Sequence, residues 1–332
     1  MKEINIFKIF ETKILKIFSL FFELIYDNYI KIRLYPKYKA TISVSHYDYS
    51  DFAIILQGPY IKNFTDETIE MYLKMFKNAK IIISCWKADE ENISKNINNN
   101  VIYIFSKKPL VLGNANINLQ ITTTINAVKK AKEIKSKFIL KTRTDQRYYK
   151  IDLLNILKNL LDIYPIENSS LESRLIVSSY NTFKYRLYGI SDMLMFGKIN
   201  DIYLYWDAKD RREIIKSKSK LTLKEFSLLK TSEVFLCTKF LEKLSYKIDW
   251  TLDNSWESYN KFFIVLNKEE FQMYWYKYNR YMEDRFTIVG KDCNSVEYTF
   301  MDWLQYKNSK ISILPKDRKF LNSVFMSEES NE

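Results

Sequence analysis

Four short apolar runs, Phe52–Gln57, Ile81–Trp86, Val101–Phe105 and Phe138–Thr142, constrain this chain more than any other feature. Each is of strand length, nearly continuous in apolar residues, and ends abruptly in polar chemistry, the pattern of a strand buried on both faces. Helical stretches separate them. Thr65–Lys77 opens with Asp66, Glu67 and Glu70 and closes with Lys74 and Lys77, the charge order that complements a helix dipole. Leu119–Ile134 is a second helix, with Lys129, Lys130 and Lys132 near its end. Alternating strands and helices imply right-handed crossovers and a mostly parallel sheet. The fold class is α/β, with flanking helices.

Open sheets of this kind bind ligands beyond the carboxyl ends of their strands, so the residues that end each run are the first candidates for chemistry. Gln57-Gly58-Pro59 closes the first run, where glycine permits a tight turn, proline stiffens its exit and backbone amides can face a ligand. Ser84-Cys85-Trp86 closes the second with a hydroxyl and a large ring. The fourth reads F-I-L-K-T-R-T-D-Q-R over Phe138–Arg147 and sets Asp145 between Arg143 and Arg147. That carboxylate stays ionised and can accept hydrogen bonds or ligate a hard cation. A turn aspartate bonding to its own backbone explains the same residue without a ligand.

Further along, Ile151–Ile163 and Asn200–Lys209 are expected helices, and Leu175–Ser178 an expected strand with Tyr180-Asn181 at its edge. Gly189–Gly197 (G-I-S-D-M-L-M-F-G) places Asp192 before an apolar run and between two glycines, which suits a site carboxylate and equally a strand start. Thr231-Ser232-Glu233 opens the helical run Val234–Leu244. Ser232 fits an N-cap and Glu233 a first helical turn, while a glutamate at a helix mouth beside a sheet edge also serves as a general base. Basic residues crowd Arg211–Lys224, either a loop over an anionic ligand or a solvated connection.

Composition excludes several classes. With 332 residues and 47% apolar content the chain buries a sizeable core. A net charge of +12 favours anionic partners. The lysines are spread along the chain with no recognisable nucleic-acid motif, so phosphorylated small molecules and an acidic membrane face are preferred to nucleic acid. Cys85, Cys237 and Cys293 form no CxxC, which argues against a zinc site or disulfide framework and fits a reducing compartment. His46 is the only histidine, so multi-histidine metal centres are excluded. No GxGxxG follows the first strand and no GxxxxGK[ST] occurs, which removes dinucleotide-binding and P-loop readings.

Ahead of the first strand, Ile4–Leu34 has helical periodicity, with a polar stripe from Lys8 to Lys31 opposite Phe7, Phe10, Ile14, Phe18, Phe21 and Ile25. Such a helix lies in a membrane interface or packs on protein. Its longest uncharged stretch, Ile17–Phe22, is too short to span a bilayer, so a soluble or peripheral protein is expected. Tyr35–Ser50 reads as a linker. The expected organisation is 1–50 for helix and linker, 51–248 for the α/β domain, and 249–332 for a helical extension packed on it, with helices over Phe271–Arg280 and Val296–Lys307.

The ordered set D-F-A-I-I-L-Q-G-P-Y (Asp51–Tyr60), I-I-I-S-C-W (Ile81–Trp86), N-I-N-L-Q (Asn116–Gln120), L-K-T-R-T-D (Leu140–Asp145), G-I-S-D-M-L-M-F-G (Gly189–Gly197) and S-E-V-F-L (Ser232–Leu236) resembles the WavE lipopolysaccharide-synthesis family. The resemblance covers roughly Asp51–Leu244. It implies a bacterial glycosyltransferase with a GT-A-like nucleotide-sugar fold, a nucleotide-diphosphate sugar as donor, and a glycolipid or oligosaccharide acceptor. Asp145 then takes the place of the DxD element that holds Mg2+ or Mn2+ against the diphosphate, reduced here to Arg143-Thr144-Asp145. Arg143 or Arg147 can replace part of the metal's charge. Gln57, Gly58, Pro59, Ser84 and Trp86 surround the nucleotide, with Asn118 and Gln120 nearby. Asp192 and Glu233 face the acceptor, with Glu233 favoured as base.

The basic charge and the amphipathic N-terminal helix, which lies outside the resemblance, lead to the expectation of a cytoplasmic protein, peripheral at the inner face of the inner membrane, with residues 1–34 as the contact. Two alternatives stand beside the resemblance. One is a non-catalytic α/β scaffold of a glycan-assembly complex; the other is a basic nucleic-acid-binding protein.

Overall fold

The computed structural model describes residues 47–93, 98–167, 169–210, 221–229, 232–276 and 296–309, with isolated positions near both ends. Residues 1–40 and 41–332 form two separate compact units. The expected Ile4–Leu34 helix lies outside the described residues except at Ile14, Ile17 and Phe21, which are helical. His46, Cys293, most of the Arg211–Lys224 segment and Thr231 also lie outside them. No helix among the described residues is long and apolar enough to cross a membrane.

The second unit begins as the sequence pattern requires: β1 (Phe52–Gln57), α1 (Phe64–Met75), β2 (Lys80–Trp86), β3 (Val101–Ser106), α2 (Ile117–Glu133) and β4 (Phe138–Arg143). A short strand β5 (Gln146–Tyr148) and helix α3 (Leu153–Ile163) follow, then β6 (Leu175–Ser178), β7 (Met195–Lys198) and α4 (Ile199–Trp206). Helices α5 (Leu223–Leu228), α6 (Ser232–Lys243) and α7 (Leu252–Phe262) lead into β8 (Phe263–Leu266), β9 (Met273–Trp275) and α8 (Phe300–Ser309).

Seven strands make one sheet in the order β3-β2-β1-β4-β7-β6-β8. All its neighbours are parallel except β7, which runs antiparallel to both β4 and β6. Every residue of β1 is buried, which is why the strand is an unbroken apolar run and not an alternating one. Phe52, Phe138 and Phe196 stack across β1, β4 and β7, with ring centroids 5.2 and 5.9 Å apart along the row. This ladder fixes register at the centre of the sheet. Because β3, β2, β1 and β4 are parallel, their carboxyl ends share one edge.

The C-terminal region departs from the helical expectation. Phe263-Ile264-Val265-Leu266 leaves α7 without a loop and enters the sheet beside β6. In place of a helix over Phe271–Arg280, Gln272 turns into the left-handed region at φ 51° and Met273–Trp275 pairs antiparallel with β5. Aromatic residues favour strands once a partner edge is available, and β5 supplies that edge only after folding. The consequence is that β9 brings Trp275 to Asp145.

Candidate active site

The turns after β1 and β4 form a single unit. Gln57 is in register with Arg143 on one side and Ser84 on the other. Thr144 N–H donates to the Gln57 carbonyl at 3.1 Å, and its hydroxyl donates to the Pro59 carbonyl at 2.6 Å. Thr65, at the start of α1, donates to the Thr144 carbonyl at 3.2 Å. Gly58 makes the approach possible: its φ is +128°, and a Cβ there would sit 3.0 Å from Thr144 Oγ1. The buried Oε1 atoms of Gln57 and of Gln120 in α2 have no hydrogen-bond partner among the described residues. Such acceptors are open to a water or to a ligand donor.

Asp145 is gripped from two sides. Arg143 donates from Nε to Oδ1 at 2.8 Å and from Nη2 to Oδ2 at 2.9 Å, and Trp275 Nε1 adds a third bond to Oδ2 at 2.9 Å. Burial opposes the charge, but the Arg143 hydrogen bonds and positive charge outweigh it and hold the Asp145 carboxyl below its ordinary range. With both oxygens committed and a guanidinium against them, this carboxylate makes a poor cation ligand. No group of three or more histidine, cysteine or acidic side chains able to hold a metal occurs among the described residues. As placed, both Asp145 oxygens are engaged by Arg143 and Trp275 and are not turned to a Mg2+ or Mn2+ ion.

Asp192 and Glu233 come together although they lie on different elements. Burial, followed by the negative charge of Asp192, pushes the Glu233 carboxyl up to about 7, while Arg186 opposes the shift. The Arg186 guanidinium lies 4.6 Å from the Phe183 ring and 5.6 Å from the Phe226 ring, and its buried Nε has no hydrogen-bond partner among the described residues. Lys141, fully buried on β4, donates from Nζ to the Asp192 carbonyl and lies 4.5 Å over the Trp206 ring. Burial lowers its pKa to about 7, against the opposing pull of Asp192. Met193, the neighbour of Asp192, packs with Tyr180 and Trp275, and Tyr180 meets Trp275 edge-on at 5.7 Å. The ring that bonds Asp145 thus forms one wall with the segment carrying Asp192.

The other expected residues are placed differently. Ser84 is buried and donates its hydroxyl to the Thr123 carbonyl, tying β2 to α2. Trp86 is buried at the end of β2. Asn118 clamps a loop, accepting from Asp210 N–H at 2.8 Å and donating to the Asp210 and Val111 carbonyls. Arg147 is buried against α1, bonding Thr68 Oγ1 at 2.9 Å and the Phe64 carbonyl at 2.8 Å. Its donors are spent on the fold and do not face Asp145.

Sequence reasoning missed Lys141, Thr144, Arg186 and Trp275. Only Lys141 left a signal, a lone cation inside the buried run F-I-L-K-T. A separate cleft of about 260 Å3 lies elsewhere, lined largely by Leu153, Leu157, Leu160, Leu266 and Phe271, and carries none of these groups.

No protein of curated function matches the chain. The family model described as WavE lipopolysaccharide synthesis matches residues 52–327, beyond the Asp51–Leu244 span of the sequence resemblance and across β8, β9 and α8. The chain belongs to the WavE lipopolysaccharide synthesis family.

Proposed function

We propose that the chain is a glycosyltransferase that moves a sugar from a nucleotide-diphosphate donor to a lipopolysaccharide, lipooligosaccharide or related surface-glycan acceptor. Family membership supports a role in lipopolysaccharide synthesis. The observation that carries the finer reading is one sheet edge with two chemical ends. At one end are Arg143 and the unmatched amide oxygens of Gln57 and Gln120. At the other, Asp192 and a Glu233 poised near neutrality stand beside the wall that Trp275 shares with Met193.

In this reading the acceptor hydroxyl oxygen forms a bond to the anomeric carbon as the bond from that carbon to the diphosphate oxygen breaks. The bonding electrons leave with the nucleoside diphosphate. Glu233 takes the hydroxyl proton, since a base with a pKa near the working pH combines ionisation with basicity. Arg143 meets the charge developing on the leaving group with its Nη1 donors, because Nε and Nη2 are held by Asp145. Asp145 is then a positioning residue, and no step runs through Mg2+ or Mn2+. A glycolipid acceptor fits a peripheral position at the inner face of the inner membrane, with residues 1–34 as a contact.

Calorimetric titration with UDP, GDP, CDP and dTDP tests the reading. Selective binding of one nucleotide, weakened about tenfold by Arg143→Ala, is expected. Absence of binding to all four would overturn it. Unchanged cellular glycan in a Glu233→Gln strain would favour the non-catalytic scaffold.

A further inference from the structure

The loop between β3 and α2 presents Leu110, Val111 and Leu112 to solvent, at 103%, 51% and 44% exposure. Three consecutive exposed aliphatic side chains are unusual, and a slack loop would fold them inward. This loop is held out. Asn118 Nδ2 donates to the Val111 carbonyl at 2.9 Å, and Asn118 N–H donates to the Leu112 carbonyl at 3.0 Å. Gly113 turns the chain at φ +74°, where a Cβ would lie 3.0 Å from Asp210 Cβ and 3.1 Å from Asn118 Nδ2. Asp210, fully buried, accepts from Asn114 N–H at 2.9 Å and closes the clamp. Every one of these bonds uses loop backbone, leaving the aliphatic side chains outside the clamp.

Within the loop itself the charge is of one sign. Exposed Lys107 and Lys108 precede it, and no acidic residue occurs between Ser106 and Asn118. We infer that this loop docks on an anionic lipid bilayer, its aliphatic tip entering the interface while the lysines meet lipid phosphates. Lysine pairs beside an apolar tip suit such a surface because the long stems lie along the acyl boundary and the charges stay at headgroup level. The loop leaves the same sheet edge as Gln57 and Arg143. From the strand order it stands two to three strand spacings away, about 10 to 15 Å. Docking there holds the candidate site close to the membrane, whether or not that site transfers sugar.

Cosedimentation of the full chain with phosphatidylcholine vesicles, and with vesicles containing one-fifth phosphatidylglycerol, tests the inference. Binding is expected to the anionic vesicles. It should weaken about tenfold in the combined variant Leu110→Ser, Val111→Ser, Leu112→Ser, and by a similar factor in Lys107→Glu with Lys108→Glu. The lysine variant keeps the test intact should the serine variant misfold. Equal binding by wild type and both variants would overturn the inference, assigning membrane contact to other residues. Equal binding to neutral and anionic vesicles, or none to either, would do the same.

Discussion

Arg143 and Asp145, two residues apart at the end of β4, close a bidentate ion pair that a distant residue, Trp275, completes. Replacing Asp145 with Asn leaves the partly buried guanidinium without its counter-charge, a loss on the order of 2 kcal/mol. The pH dependence follows from the depressed carboxyl of the folded state. Its contribution is full above the unfolded carboxylate range and is lost as pH falls through the lower folded value. Urea unfolding of wild type and Asp145→Asn should therefore differ most at neutral pH and converge in strong acid. Because Arg143 and Trp275 hold both Asp145 oxygens, Mn2+ and EDTA should leave the wild-type melting temperature unchanged, whereas a cation bound to the native state would raise it.

Gly58 sets the contact between the two turns. An alanine there needs a φ near +128°, and its methyl would press on the Thr144 hydroxyl. Strain of this kind costs roughly 1–3 kcal/mol. Gly58→Ala should lower the urea midpoint accordingly and weaken nucleotide binding with it, since the turn that moves carries Gln57. An unchanged midpoint would mean the turns are not coupled.

The first half of this fold is legible in the sequence because β1, β2 and β4 are largely buried on both faces and its helices carry ordered end charges. Both signals are local. Boundaries for β1 and β6 coincide with the apolar runs, and α1, α2 and α3 begin or end within two residues of the expected limits. Asp192 and Glu233 were visible as carboxylates beside glycines and at a helix start, and the fold brings them into electrostatic contact. Trp275 left no such trace. Its strand exists only because β5 offers an edge, and its indole bond to Asp145 spans 130 positions. Arg147 illustrates the opposite error: a cation two residues from Asp145 reads as a natural site group, yet the Phe64 carbonyl and the Thr68 hydroxyl of α1 draw it into the core.

Lys141 joins β4 to the segment carrying Asp192, and its burial has a measurable signature. Its pKa lies near 7 in the folded state against an ordinary value near 10.5, so between these values the unfolded chain binds more protons. Wild-type stability should rise across that interval relative to Lys141→Met, by an amount on the order of 5 kcal/mol. The Met variant also loses the bond to the Asp192 carbonyl. If sugar transfer is the activity, kcat should fall more than KM changes, because the donor end is untouched.

Glu233 combines an expected catalytic role with a cost to stability. Its carboxyl titrates near 7 when folded and near 4.5 as an ordinary glutamate, so between these values the folded chain holds the extra proton. Stability therefore declines as pH rises through that window. Glu233→Gln has no charge to bury and should be more stable than wild type at pH 8, by an amount on the order of 3 kcal/mol, with the difference vanishing near pH 4. The same substitution removes the proton acceptor, and transfer should drop about 10²- to 10⁴-fold while nucleotide binding is retained. Wild-type kcat should climb through pH 7 as the carboxylate forms. A variant that is stabilised yet fully active would separate the two roles and move the base to Asp192.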